Sequence, residues 1–169
     1  MACPGELVLL REIESASEAL LRDIGIGPFA EDEADDYLNH ATVVLVAGEP
    51  PVGFASVDIV DDAAHLRQLS VVPSSGRQGR GAALVTAVCA WAAANGHGAV
   101  TLTTFRDVPW NAPFYRRLGF EIIDELPPGL AAIRAHERSA GADDFGPRVA
   151  MRKTLGDANS PGDAPTTVG

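Results

Sequence analysis

The sequence predicts an α+β fold with a mixed central sheet of about seven strands flanked by helices. Two β-branched runs, at 42–47 and 52–59, surround the turn Gly-Glu-Pro-Pro and predict an early β-hairpin. Later, a strand at 65–72, a helix at 80–94 and a strand at 100–105 follow one another as in a βαβ unit. Hairpins early and βαβ later indicate a sheet with antiparallel and parallel pairs.

Local signals predict the remaining elements. The apolar run 7–11 predicts a first strand, and Ser15 with Glu18 three residues later predicts a capped helix over 15–22. A second helix is expected over 31–39. The rest of the chain predicts a short helix at 113–118, a strand at 120–123, a helix at 129–138 and a closing strand at 148–152.

The 169 residues fit a single domain, which we expect over 1–155, followed by a disordered tail over 156–169 that has no periodic apolar positions. The first residues lack a basic and then apolar leader, so we expect a cytoplasmic protein. A net charge of −10 disfavours binding to nucleic acid or to a membrane. Two cysteines are too few for a disulfide framework, and the four histidines have no metal-ligand spacing, so no metal is expected.

Residues 71–85 run from a strand end through a glycine-rich turn into a helix. Gly76, Gly79 and Gly81 allow positive φ angles and close approach of a ligand to backbone N–H groups. The start of the helix adds unpaired N–H donors and a partial positive charge. Ala82 stands where a P-loop needs a lysine, and Leu84 stands where a dinucleotide fingerprint needs its third glycine. The segment therefore indicates a phosphate site of another kind.

A second motif lies downstream, where residues 110–120 read Trp-Asn-Ala-Pro-Phe-Tyr-Arg-Arg-Leu-Gly-Phe. Together the two motifs resemble the GNAT (GCN5-related) superfamily of acetyl-CoA-dependent N-acetyltransferases. The resemblance covers most of 5–155 and is strongest over 66–120. It implies acetyl-CoA as co-substrate and a primary amine of a small molecule or peptide as acceptor. It also leaves a homodimer possible.

The resemblance implies cofactor contacts at particular positions. The loop would hold the pyrophosphate, the strand before it would pair with the pantetheine arm, and Asn111 would help to hold the cofactor. At the first position of the family's Gln/Arg-x-x-Gly-x-Gly/Ala pattern this chain has Gly76, which leaves open whether Arg77 replaces the missing side chain. The residues so assigned are Arg77, Gln78, Gly79, Arg80, Gly81 and Ala82 for the pyrophosphate, and Leu69, Ser70 and Val71 for the pantetheine.

The resemblance also assigns Tyr115 as the general acid that protonates the departing CoA thiolate. The acceptor needs a base as well, because freeing the lone pair of an alkyl amine at neutral pH costs about 4.6 kcal/mol. Asp107, after the fifth strand, is the first candidate for that base. His65 and Glu12 are alternatives.

Thr103, Thr104, Arg106 and Trp110 lie near one strand end and are expected to line the acceptor pocket. If Arg106 faces the pocket, the acceptor should carry a carboxylate. If the acidic run 31–36 lines it instead, the acceptor should be a polyamine, an aminoglycoside or a lysine side chain. The expected reaction is direct attack in a ternary complex. The alternatives are a non-catalytic acyl-CoA sensor and an acyltransferase that uses another acyl-CoA or a hydroxyl acceptor.

Overall fold

A computed structural model describes residues 4–27, 38 and 40–156. Its strands form one six-stranded sheet in the order β1-β2-β3-β4-β6-β5, in which β3 and β4 are parallel and the other neighbours are antiparallel. The mixed sheet confirms the predicted α+β fold. The strands are β1 (Val43–Ala47), β2 (Gly53–Val60), β3 (Ala63–Val71), β4 (Ala99–Phe105), β5 (Glu121–Ile123) and β6 (Arg148–Thr154).

Helices cover both faces of the sheet. The main apolar core lies between one face and α2 and α3, where Leu84 and Val88 pack with Val100 and Leu102. The other face is covered by α1 and α4. The helices are α1 (Pro4–Arg22), α2 (Arg80–Ala94), α3 (Ala112–Arg117) and α4 (Pro128–Ser139), with short 3-10 helices at Pro73–Ser75 and Ala142–Phe145.

The predicted strand at 7–11 is wrong, because this segment belongs to α1. Leu10, Ile13 and Glu14 are buried and Leu21 is half-buried, which is the spacing of one helix face rather than of a strand. Four of the five residues of the run are leucine or arginine, which are strong helix formers. The separate helix predicted from Ser15 is the second half of the same element.

Two other predictions concern parts of the chain that lie mostly beyond the described ranges. The helix predicted over 31–39 lies, except for Leu38, outside the described residues, as does the predicted tail after Gly156. Among the helices that are described, none is long and apolar enough to span a bilayer.

A gap opens between the two parallel strands. Pairing of β3 with β4 is confined to two positions, His65 with Thr101 and the residue before each of them. Beyond them β3 continues along β2 as far as Val71, whereas β4 continues along β6 as far as Phe105. The strands therefore separate toward their C-terminal ends, and the facing backbone edge of β3 has no strand beside it in the described structure.

Candidate active site

The glycine-rich loop leads directly into α2. Gly79 has φ of 77° and is the residue before the first helical turn, and a Cβ at this position would meet nothing within 4 Å. Arg77 also adopts a left-handed conformation, with φ of 59°. No side chain caps the helix and no acidic residue lies in its first turn. Backbone N–H donors at the start of α2 are thus left for an anion.

Arg80 is the first residue of α2, and its side chain adds a second kind of donor beside these N–H groups. The Nε atom of Arg80 is buried and has no hydrogen-bond partner within the described structure. Leaving such a donor unpaired costs about 1–3 kcal/mol, and more for a charged group. Gln78 braces the loop by donating from Nε2 to the carbonyl of Ser74 at 3.3 Å. Arg77 and Gln78 themselves are exposed.

The two sequence motifs meet in space. A Cβ built on Gly81 would lie 3.5 Å from Cζ of Phe114 in α3 and 4.0 Å from Cδ2 of Leu69 in β3. The start of α2, the aromatic motif and the free edge of β3 therefore surround one region at the open end of the gap. These are the elements to which the resemblance assigned pyrophosphate, thiolate and pantetheine.

The free stretch of β3 presents alternating side chains. Leu69 and Val71 pack toward the core under α2, whereas Ser70 is fully buried on the opposite face and accepts a hydrogen bond from Gln68 Nε2 at 2.9 Å. A β-bulge precedes this stretch, since the partners of Leu66 and Gln68 are adjacent residues of β2. The bulge changes the direction of the strand where the gap begins.

Tyr115 lies in the core beside the loop. Its ring makes edge-to-face contacts with Phe114 and Phe120, with centroids 5.1 Å and 5.7 Å away. Burial raises the pKa of the phenol, so it stays protonated at neutral pH. Asn111 is the residue before α3, and its carbonyl accepts a hydrogen bond from Tyr115 N–H at 3.1 Å. The tyrosine is thus held on the first turn of a short helix with its phenol protonated.

The predicted acceptor-side residues do not form one cluster. Arg106 and Asp107 pair with each other through two hydrogen bonds of 2.9 Å, and both side chains are more than half exposed. This pairing holds the pKa of the Asp107 carboxyl below its ordinary value, which makes it a weaker base. Trp110 is exposed, whereas Thr104 is buried on the α2 face of β4. The positions of these four residues do not test their predicted roles at the acceptor, which stay predictions.

The alternative bases lie in different surroundings. His65 is buried and its Nδ1 lies 3.0 Å from Thr101 Oγ1, at the closed end of the gap. Burial lowers the pKa of His65 to about 4, against a smaller opposing effect of Glu137 and Asp58. Glu12 is exposed on the outer surface of α1.

A network of buried charges on the α4 side was not predicted from the sequence. Glu137 accepts hydrogen bonds from Arg134 at 2.5 Å, from Arg148 at 2.9 Å and from Thr103. Arg134 also binds Asp143 at 2.8 Å. These interactions hold α4 against β4 and β6. The spacing of Arg134 and Glu137 on the predicted helix marks a possible pair, but their partners on other elements leave no local signal.

The comparisons with known proteins agree with this geometry. The model of the acetyltransferase (GNAT) family matches residues 10–120, which is most of the chain, so the protein belongs to the GNAT acetyltransferase family. Membership confirms the predicted superfamily and establishes acyl transfer from an acyl-CoA as its general chemistry.

Solved structures share the fold at low identity. The ribosomal-protein-S18-alanine N-acetyltransferase from Escherichia coli is 16% identical over 99% of this chain and 96% of its own, with a TM-score of 0.66. A GNAT acetyltransferase from Staphylococcus aureus is 16% identical, with coverages of 87% and 90% and a TM-score of 0.64. N-acetylglutamate synthase from Neisseria gonorrhoeae, solved with coenzyme A and N-acetyl-glutamate, is 17% identical, with coverages of 86% and 32% and a TM-score of 0.64.

Proposed function

We propose that the protein transfers an acetyl group from acetyl-CoA to a primary amine by direct attack in a ternary complex. The observation that carries the proposal is the uncapped start of α2 beside the buried, unpartnered Nε of Arg80, at the mouth of the gap between β3 and β4. Such a site suits a pyrophosphate, and the free edge of β3 suits the amide groups of a pantetheine arm.

Each part of the cofactor then has a binding element. The pyrophosphate would be held by backbone N–H groups over 79–82 and by the guanidinium groups of Arg77 and Arg80. Pantetheine would pair along Leu69–Val71, with Asn111 near the cofactor's sulfur end. In this arrangement the thioester lies in the gap, within reach of α3.

Tyr115 supplies the acid in this mechanism. The amine attacks the thioester carbonyl, the carbon–sulfur bond breaks, and the phenol gives its proton to the departing thiolate. The raised pKa of Tyr115 keeps the phenol protonated at neutral pH, and it also makes the phenol a weaker acid, so the proton moves only as negative charge builds up on sulfur. Asp107 remains the sequence-predicted base, but its pair with Arg106 must open before it can accept a proton.

The test separates binding from turnover. Calorimetry with acetyl-CoA should show binding that weakens at least about tenfold in Arg80→Met, because the lost group is a charged phosphate donor. Arg152→Met, on β6 toward the far edge of the sheet, is the matched control and should bind as the unchanged protein does.

CoA thiol release should then be measured with amino acids, peptides, polyamines, aminoglycosides and simple alkylamines. Tyr115→Phe should lower kcat at least about tenfold with unchanged acetyl-CoA affinity. Binding without release for every amine would instead support a sensor of acyl-CoA. The absence of binding would contradict both functions.

A further inference from the structure

The helix that carries Tyr115 is short and depends on its surroundings. α3 has six residues, fewer than a helix needs to be stable by itself in water. No side chain caps its start in the described structure. The position of Tyr115 therefore depends on how the helix packs and on the contacts at its other end.

The turn that follows the helix is bonded directly to Tyr115. The carbonyl of Tyr115 accepts hydrogen bonds from Leu118 N–H at 2.9 Å and from Phe120 N–H at 3.1 Å. Gly119 lies between them with φ of 88°, a left-handed conformation that ends the helix. Phe120 also packs its ring against the ring of Tyr115. A shift of this turn would move both the backbone of Tyr115 and the surroundings of its ring.

Lys153 of β6 holds this turn. Its Nζ donates to the carbonyl of Leu118 at 2.8 Å, which is one of the carbonyls that a helix end leaves without a partner inside the helix. A Cβ built on Gly119 would lie 3.5 Å from Cε and 3.7 Å from Nζ of Lys153, so the lysine side chain passes close to the turn. Lys153 is half-buried, and hydrogen bonds from a charged donor are stronger than those between neutral groups.

The same ammonium group also lies near α2. Burial raises the pKa of the Cys89 thiol in α2, and the positive charge of Lys153 partly opposes this effect. Lys153 therefore stands where β6, α2 and the end of α3 meet. Arg116 and Arg117, in the last turn of α3, are by contrast exposed.

We propose that Lys153 is a positioning residue for acyl transfer, which fixes the end of α3 and so keeps the Tyr115 hydroxyl beside the sulfur of the thioester. The inference rests on the proposed function, in which Tyr115 is the acid. The ammonium of Lys153 transfers no proton in this role, and the phenol alone gives its proton to sulfur. Positioning matters because a displacement of about 1 Å can lower a rate by about 100-fold.

A double-mutant cycle separates positioning from general stability. Initial rates of CoA thiol release are measured at saturating acetyl-CoA for wild type, Lys153→Met, Tyr115→Phe and the double variant. The acceptor is whichever amine, among those used to measure turnover, wild type acetylates fastest. Arg116→Met, which removes an exposed cation from the last turn of the same helix, is the control. Acetyl-CoA affinity and the melting temperature are recorded for every variant.

Lys153→Met should lower kcat about tenfold, with unchanged KM for the amine and unchanged acetyl-CoA affinity. In the Tyr115→Phe background the same substitution should change kcat by less than about twofold, because no hydroxyl remains to be positioned. Lys153→Arg keeps a cationic donor and should retain more activity than Lys153→Met. Arg116→Met should behave as wild type.

The outcomes that overturn the inference can be told apart. If Lys153→Met leaves kcat unchanged, or lowers it by the same factor with and without the Tyr115 hydroxyl, the inference falls and the proposed function stands. If Tyr115→Phe keeps the kcat of wild type, Tyr115 is not the acid, and the inference falls with that role. If wild type acetylates no amine, both fall. Should Lys153→Met fail to fold, Lys153→Gln, which is also neutral, takes its place in the cycle under the same criteria.

Discussion

Charges are arranged in opposite ways on the two sides of the sheet. Beside α2, Arg77 and Arg80 have no acidic partner within the described structure, and the first helical turn carries no carboxylate. Beside α4, Arg134 and Arg148 are both bound to Glu137. A buried guanidinium nitrogen without a partner, such as Nε of Arg80, is costly unless a ligand supplies one, whereas a closed network of ion pairs holds elements together. The first arrangement therefore indicates a binding site and the second a structural joint.

The largest expected effect is on the structural joint. Glu137→Gln removes the negative charge that Arg134 and Arg148 share. Because both guanidinium groups then remain buried without a counter-ion, the free energy of unfolding should fall by about 3 kcal/mol. Urea denaturation measures it, with the exposed Glu125→Gln as control. A loss no greater than that of the control would show that the network does not hold α4.

The next effect concerns pH and the closed end of the gap. Because burial lowers the pKa of His65 to about 4, the unfolded chain binds a proton that the folded chain refuses, and stability must fall as pH decreases from the ordinary histidine value toward 4. Between pH 7 and pH 5 the loss is about 2 kcal/mol. His65→Gln should remove this part of the slope in denaturation curves measured across the range. If the free energy of unfolding of wild type and of His65→Gln changed equally with pH, the His65 imidazole would be exposed to solvent and not buried.

A smaller effect separates binding from backbone strain. Gly79 and Gly96 both have positive φ, and a Cβ added at either would meet nothing within 4 Å, so alanine at either should cost about 1 kcal/mol of stability. Gly79→Ala should in addition weaken acetyl-CoA binding, because it disturbs the loop that presents N–H groups to the pyrophosphate. If calorimetry gave the same acetyl-CoA affinity for Gly79→Ala and Gly96→Ala, the loop around Gly79 would not be part of the cofactor site.

The smallest effect is expected at the exposed pair of Arg106 and Asp107. Solvent screens this pair, so Asp107→Asn should leave the melting temperature unchanged. Because Arg106 holds the Asp107 carboxylate in an ion pair, the same variant should also keep kcat and its pH profile. A large loss of kcat with normal acetyl-CoA affinity would support Asp107 as the base.

The sequence was sufficient for most of the elements. The bounds of α2 match the prediction at 80–94, and the hairpin at 42–59 is confirmed within a residue or so. These segments carry local signals, namely glycine at a turn and a helical or alternating apolar pattern. The run 7–11 favours a strand by its consecutive apolar residues, although the buried positions of α1 recur at helical spacing.

That one error also concealed which acid of α1 is buried. With a strand ending near Glu12, this residue is the nearest acid to the sheet. In a continuous helix Glu12 is exposed, and Glu14 is buried with Leu10 and Ile13 instead. A helix and a strand rotate successive side chains by different angles, so the assignment of the element decides which acids face the sheet.

The sequence by itself determined the class of the protein and the glycine-rich loop proposed to bind the cofactor, because turns, helix starts and the motif around Tyr115 depend on residues close together in the chain. Only the tertiary structure decided how the elements around the glycine-rich loop are arranged. The separation of β3 from β4, the packing of α1 on the sheet and the network around Glu137 each depend on residues far apart in sequence. Such contacts depend on how elements pack, and packing leaves no short pattern in the chain.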